Sequence, residues 1–250
     1  MSRSQRIFGI HAVQSAIEHS PGKLIQAWVD KQRQDKKISG LCSQLNQLDI
    51  SVQPIERKHL EQLAKGQNHQ GIMLELRLPQ ALNEDALKQA LATHTQTPFY
   101  LVLDQVQDPH NLGACLRTAD AAGVQGVILP QNQSVDFTPV VCKVASGAAE
   151  TVPVYRVTNL ARTLKWLQEQ GLWIVGTSDD CEKTAYEVDM TIPIVICMGS
   201  EGKGLRRLTR EHCDWLVRLP MCGYVSSLNL SVATGIMLYE TVRQRQIKAV

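Results

Sequence analysis

The chain has 250 residues, 44% of them hydrophobic, and a formal charge of +2 from 26 Lys+Arg against 24 Asp+Glu. That is enough chain to bury a core in one large domain or two unequal ones, and too little net charge to imply a nucleic-acid partner by itself. The charge is uneven: residues 1–77 carry 11 Lys+Arg and 7 Asp+Glu, an excess of +4, whereas residues 78–250 carry 15 and 17, which favours a polyanion contact in the first segment.

Residues 1–77 read as a small α/β unit. In GIHAVQSAIEH, Ile10, Val13 and Ile17 recur at helical spacing. LIQAWVD reads as a strand. KISGLCSQLNQL repeats Ile38, Leu41, Leu45 and Leu48 as a second amphipathic helix, and SVQPIE and HQGIMLELRL are strand-like with a short helix between them. Lys31, Arg33, Lys36 and Lys37 form the densest basic cluster, open to two readings, a phosphate contact or a solvated turn. Residues 78–98, with Pro79 and Pro98 near their ends, contain a short polar helix and read as a linker.

Residues 99–250 form the second piece. Apolar, β-rich runs recur in FYLVLDQV, GVILP, VPVYRV, LWIVGTS, IPIVICMG and WLVRLP, with helical patterns between most of them. Strands hydrophobic on both faces, alternating with helices, predict a mostly parallel sheet flanked by helices. Ligands of such sheets bind beyond the carboxyl ends of the strands, where three loops carry unusual chemistry.

The first loop is DQVQDPHNLGACLRTADAAG. Pro109 and Asn111 shape a turn, Gly113 lets the chain enter a helix tightly, and Arg117 is expected on its first turns. A cation there has the wrong sign for the helix dipole, so a function is expected for it, although a capped helix with one surface Arg is the alternative. The second loop, MGSEGKGLRRLTREHCD, brackets Glu201 and Lys203 with glycines. It fails as a P-loop, because Cys197 and Gly204 stand where Gly and Ser or Thr are needed. A backbone-rich ligand loop or a tight turn remains. The third, GYVSSLN, leads into an apolar helix expected to be buried, through Leu230, Val232, Ala233, Ile236, Met237 and Leu238. Ser227 and Asn229 can cap that helix, but one cap does not account for the whole polar run.

Seven cysteines, an odd number with no C-x-x-C pair, favour free thiols in a reducing compartment over a disulfide framework. No Cys/His cluster has ligand spacing, so no metal is expected. The N-terminus lacks the apolar core of a secretory signal and no stretch approaches a membrane span. A soluble, cytoplasmic protein is expected.

Together the loops resemble the SpoU/TrmH family of RNA ribose 2′-O-methyltransferases. The family's three motifs correspond to DPHNLGACLRTADAAG with Asn111, Gly113 and Arg117, to MGSEGKGL, and to LPMCGYVSSLNLSVA, in order over about residues 100–245. FGIHAVQSAIE and HQGIMLE are similar to its N-terminal substrate-binding domain, an L30e-like α/β fold. The resemblance implies a SPOUT-type catalytic domain with a deep C-terminal trefoil knot, S-adenosylmethionine bound in the knot, and a homodimer whose substrate site is shared between subunits. It implies catalytic-site residues Asn111, Arg117, Glu201, Ser227 and Asn229, and cofactor contacts at Gly199, Leu219 and Leu228. Arg117 would hold a phosphate and stabilise the developing alkoxide, because a guanidinium stays protonated. Asn111 and Asn229 would orient Arg117 and the ribose, Glu201 would position Arg117 or a neighbouring loop, and Ser227 would contact cofactor or substrate. The domain pairing is most similar to the bacterial branch that methylates a guanosine of 23S rRNA in the peptidyl-transferase region, with free rRNA or a large-subunit assembly intermediate as partner. A tRNA ribose methyltransferase and a non-catalytic ribosome-assembly protein are the alternatives.

Overall fold

A computed structural model describes residues 4–33 and 35–248. The chain forms two units, one comprising residues up to 80 with 137–139, the other 81–136 and 140 onward.

The first unit is a four-stranded sheet with three helices. Its elements are β1 (Ser4–Phe8), α1 (Ile10–His19), β2 (Leu24–Asp30), α2 (Lys36–Gln47), β3 (Ser51–Ile55), α3 (Arg57–Ala64) and β4 (Ile72–Arg77). The strand order is β1-β4-β2-β3, with β4 antiparallel to both neighbours and β2 parallel to β3. Central β4 is the most buried strand of this sheet, and Ile72, Met73 and Leu74 are fully buried with Val13, Leu45 and Leu60. Asp35 starts α2 by accepting from the backbone N–H groups of Lys37 and Ile38. In the basic cluster, Lys31 pairs with Glu56 at 2.7 Å, and Arg33 pairs with Asp35 at 2.6 Å and donates to the Gln70 carbonyl. Lys36 and Lys37 are exposed at the start of α2.

The second unit is built on six parallel strands: β5 (Phe99–Asp104), β6 (Gly126–Pro130), β7 (Val154–Val157), β8 (Trp173–Thr177), β9 (Ile194–Gly199) and β10 (Trp215–Val217). Each apolar run of the sequence supplies one strand. The order is β10-β8-β9-β5-β6-β7. Every residue of β5 is buried, as a central parallel strand covered on both faces requires. Among the described residues, no helix is long and apolar enough to cross a membrane, and no cluster of metal-binding side chains occurs.

Two sequence expectations change here. The stretch read as a linker contains α4 (Glu84–Thr93), whose Leu87 is fully buried in one core cluster with Tyr100 and Tyr155. Leu82 adds backbone hydrogen bonds to Val154 and Arg156 at 2.7 and 2.8 Å, so the chain is packed on the second sheet there. The last helix, α10 (Leu230–Lys248), buries Leu230, Met237 and Leu238 but leaves Val232 and Tyr239 about half exposed, at 51% and 50%. The apolar run at its start reads as buried on every side, yet one face of the helix stays half exposed.

Candidate active site

Strand order reverses at β5. The chain proceeds from β5 to β6 and β7 on one side, while β9, β8 and β10 lie on the other. Asp104 and Gly199, the last residues of β5 and β9, are paired neighbours. The loops that leave them diverge around a crevice, the general position for a ligand in such a sheet.

Side chains from three loops meet there. Asn111 Nδ2 donates to Glu201 Oε1 at 3.2 Å. Asn229 Nδ2 donates to the same oxygen at 2.5 Å and to Asn111 Oδ1 at 3.0 Å. The Leu230 N–H adds a third bond to Glu201 Oε1 at 3.1 Å. Asn229 Oδ1 accepts from the Ser231 N–H at 2.9 Å and its hydroxyl at 2.6 Å, capping α10. A carboxylate therefore sits on the positive end of the last helix and gathers two amides that belong to different sequence motifs. Asn111 is buried, and its amide is satisfied on both sides, as a buried polar group requires.

Arg117 stands apart from this cluster. The helix α5 (Pro109–Ala121) begins at Pro109, capped by Asp108, whose Oδ1 accepts from the His110 N–H at 2.9 Å. Proline at the first helical position and an aspartate before it are strong start signals, so the helix starts four residues earlier than Gly113 suggested. Gly113 lies inside it, where an added Cβ would come within 2.7 Å of Val144 Cβ and 2.9 Å of the Val141 carbonyl oxygen; its role is close packing. Arg117 lies on the third turn, one turn further in than a start at Gly113 implies and about 9 Å along the axis from Asn111 at ~1.5 Å per residue, and the dipole argument against a cation falls away. It is exposed and has no hydrogen-bond or ion-pair partner among the described residues. α5 and α10 run side by side from the cluster, with Cys115 Sγ donating to Thr234 Oγ1 at 3.6 Å.

Beside the cluster lies a cavity of 380 Å³, whose lining includes Gly199, Glu201, Leu219, Ser227 and Leu228. Its size falls within the range of small-molecule sites, roughly 300–1,000 Å³. The loop after β9 folds back sharply, with Ser200 and Gly204 exchanging both backbone hydrogen bonds at 3.1 and 2.9 Å. A Cβ on Gly199 would fall 2.1 Å from the Gly204 carbonyl carbon and 2.3 Å from the Leu205 nitrogen. Backbone thus approaches backbone at the cavity wall, and only glycine permits it. Also in the lining, Arg210 donates to both oxygens of Asp180 at 3.1 and 3.2 Å. The Ser178 hydroxyl first, then Arg210, pulls the Asp180 carboxyl down to about 2.

Sequence reasoning missed the anchor of this loop. Asp104, 1% exposed, accepts from the Arg206 N–H at 3.0 Å, Arg206 Nε at 2.7 Å and the Thr209 hydroxyl at 2.7 Å. A lone carboxylate ending the apolar run FYLVLD was the available signal.

Comparison with known proteins gives two family matches. The SpoU rRNA Methylase family matches residues 98–239, and a second family, RNA 2'-O ribose methyltransferase substrate binding, matches residues 6–82. The chain is 53% identical over 246 residues to 23S rRNA (guanosine-2'-O-)-methyltransferase RlmB of Shewanella oneidensis, covering 98% of this chain and 100% of that protein. The corresponding Pseudomonas putida protein is 50% identical over 248 residues, covering 99% and 100%. Among solved structures, the SpoU methyltransferase AviRb from Streptomyces viridochromogenes in complex with the cofactor AdoMet aligns with TM-score 0.70 and 25% identity over 97% of this chain and 91% of that one. The AdoMet-bound rRNA methyltransferase from Sinorhizobium meliloti aligns with TM-score 0.65 and 27% identity over 96% and 87%. With its motif loops joined at the strand ends and one family match spanning more than half its length, this chain belongs to the SpoU rRNA methylase family.

Proposed function

We propose that this protein transfers a methyl group from S-adenosylmethionine to the ribose 2′-hydroxyl of a guanosine in 23S rRNA. The observation that carries the reading is the junction of Asn111, Glu201 and Asn229 at the rim of a backbone-walled cavity, in a chain about half identical, over its length, to 23S rRNA guanosine-2′-O-methyltransferases.

The cavity fits the cofactor. Met198, Leu205, Val217 and Leu228 offer an apolar slot for adenine, and the folded-back glycine loop brings backbone hydrogen-bonding groups to the same wall. Asp179, Asp180 and Glu201 line it as carboxylates, a suitable setting for a sulfonium cation and an ammonium group. Gly199, Leu219 and Leu228 would hold adenine and ribose. Bound there, the cofactor supplies an electrophilic methyl group.

The chain's own residues then have defined tasks. Glu201 fixes Asn111 and Asn229 through one oxygen, so both amides reach the substrate ribose already oriented, the arrangement that favours positioning over chemistry. Ser227 lines the cavity and contacts cofactor or substrate. Arg117 meets the ribose–phosphate of the target and stabilises negative charge as the 2′-hydroxyl loses its proton.

Because Arg117 lies two turns from the cluster on its own helix, it acts on the site of a second subunit. The half-exposed Val232 and Tyr239, seven residues apart on one face of α10, suit a helix-to-helix homodimer contact. Family membership implies the trefoil knot, formed where the segment before α10 returns past the loop after β9. Residues 1–77 bind the RNA, with Lys36 and Lys37 free for phosphate, and residues 99–250 carry the reaction. The setting is the cytoplasm, on 23S rRNA or a large-subunit assembly intermediate.

The test is transfer of labelled methyl from S-adenosylmethionine to 23S rRNA from cells lacking the protein, followed by mapping of 2′-O-methyl positions. One new guanosine 2′-O-methyl group in 23S rRNA is expected. Labelling confined to tRNA, or none despite cofactor binding, overturns the proposal.

A further inference from the structure

A second cavity, 290 Å³ in volume, adjoins the first and shares Ser200, Glu201, Lys203 and Leu230 with it. Its lining also includes Asn111, and on another side Gln105 and Gln107, just past β5, with Gln133 from the loop after β6. Gln105 and Gln133 join amide to amide, Gln105 Nε2 donating to Gln133 Oε1. Both hold left-handed backbone, with φ of +69° and +63°. For a residue with a Cβ that conformation is unfavourable, whereas glycine adopts it freely. Neither loop depends on these amides for its course. The Val135 N–H already donates to the Val106 carbonyl at 2.8 Å, and Arg156 donates to the Pro130 carbonyl at 3.1 Å.

The pairing uses one N–H of Gln105 and the oxygen of Gln133. The Gln105 oxygen and the Gln133 amino group have no partner among the described residues. One acceptor and one donor of the pair thus stay open in the cavity lining. A nucleobase edge presents the complement, for guanine the O6 acceptor beside the N1–H donor. A phosphate would instead call for cations, and Lys203 is the one cation in this lining.

We propose that Gln105 and Gln133 form the base-reading clamp for the nucleotide that is methylated. Its base enters the 290 Å³ cavity against the paired amides, its ribose faces Asn111 and Glu201, and Lys203 meets the adjacent phosphate. The inference rests on the methyl-transfer reading above and adds where base identity is checked.

Gln105→Gly and Gln133→Gly remove the amides while relaxing the backbone, so both variants should fold. Each is compared with wild type on 23S rRNA fragments carrying guanosine, inosine or adenosine at the mapped position. The expected result is a fall of about tenfold or more in kcat/KM on guanosine, with the preference for guanosine over adenosine shrinking by a similar factor and the Kd for S-adenosylmethionine unchanged. Undiminished preference in an active variant, or equal loss on all three bases, overturns the clamp alone. A wild-type protein that binds S-adenosylmethionine and methylates none of these RNAs overturns the methyl-transfer reading and the clamp with it.

Discussion

Glu201 Oε1 lies 3.1 Å from the backbone nitrogen of Leu230, so a side chain from the loop after β9 caps the helix that follows β10. The same oxygen holds Asn111 and Asn229. One carboxylate therefore couples three segments that lie far apart in the chain.

Glu201→Ala should remove all three bonds at once. Leu230 keeps no side-chain cap from that loop, and the buried Asn111 loses a partner. Glu201 itself is exposed, which moderates the effect, so a loss of about 1–2 kcal/mol is expected. Glu201→Gln keeps an acceptor oxygen and should lose less stability while still weakening the positive-end interaction. Urea unfolding with cofactor calorimetry checks both, and an alanine variant as stable as wild type would refute the coupling.

Asp104 secures the start of the same region from below. Its carboxylate is buried, and Arg206, with its side chain 38% exposed, is half in solvent. Asp104→Ala leaves the buried Thr209 hydroxyl and the Arg206 N–H without acceptors, at a cost of about 2–4 kcal/mol. Asp104→Asn retains one acceptor and should lie between. The urea midpoint at neutral pH measures this, with a wild-type midpoint in Asp104→Ala as the contrary result.

How much of this was legible in the sequence depends on what each residue's neighbours disclose. The strands were readable because β5 and β9 are buried on both faces, which forces continuous apolar runs such as FYLVLD and IVICM. Their direction followed from the helices between them. The junction of Asn111, Glu201 and Asn229 came from family motifs, since hydrogen bonds spanning 90 and 118 residues leave no local periodicity. The prolines near its ends make residues 78–98 read as a linker, but α4 packs Leu87, with Ala86, Ala90 and Leu91 beside it, on the core of the second sheet. Gly113 points to a helix start four residues, about one turn, too late, because Asp108 and Pro109 already cap and open α5. The half-exposed face of α10 is hidden in the sequence because Val232 and Tyr239 are as apolar as the residues that face the core.

Gly199→Ala tests the backbone wall. The added methyl would sit 2.1 Å from a backbone carbon that cannot rotate away, so the loop after β9 must shift. Overpacking of this kind costs about 1–3 kcal/mol or more, and affinity for S-adenosylmethionine should fall at least about tenfold. Gly22→Ala, with nothing within 4 Å of the new Cβ, is the control and should bind as wild type. Equal affinity in both variants would refute the close approach as a feature of the cofactor wall.

Thiol reactivity separates surface from core. Cys222 is exposed, while Cys115, Cys142 and Cys197 are buried. Burial pushes the Cys115 thiol up to about 12, against a smaller opposing effect of Thr234, and a raised pKa means less of the reactive thiolate at any given pH. At pH 8 a disulfide reagent should modify Cys222 first, and Cys115 and Cys197 only on unfolding. Rapid modification of Cys115 in the folded protein would contradict the packing of α5 on α10.

Arg117 is exposed and has no partner within its own described chain, so Arg117→Ala should leave thermal stability unchanged and abolish turnover. Arg117→Lys keeps the charge but loses the planar fork, and turnover should fall about 10- to 100-fold. Near wild-type turnover would rule out a guanidinium-specific role. Mixing tells whether the residue acts across subunits. In the proposed homodimer, protein co-expressed from Arg117→Ala and Asn229→Ala chains includes mixed dimers, in which one site pairs an intact Asn229 with an intact Arg117 from the other chain. In a symmetric dimer with random pairing, about a quarter of the wild-type sites are restored. If both residues served the same chain's site, every site in the mixture would carry one defect and activity would stay at the level of the separate variants.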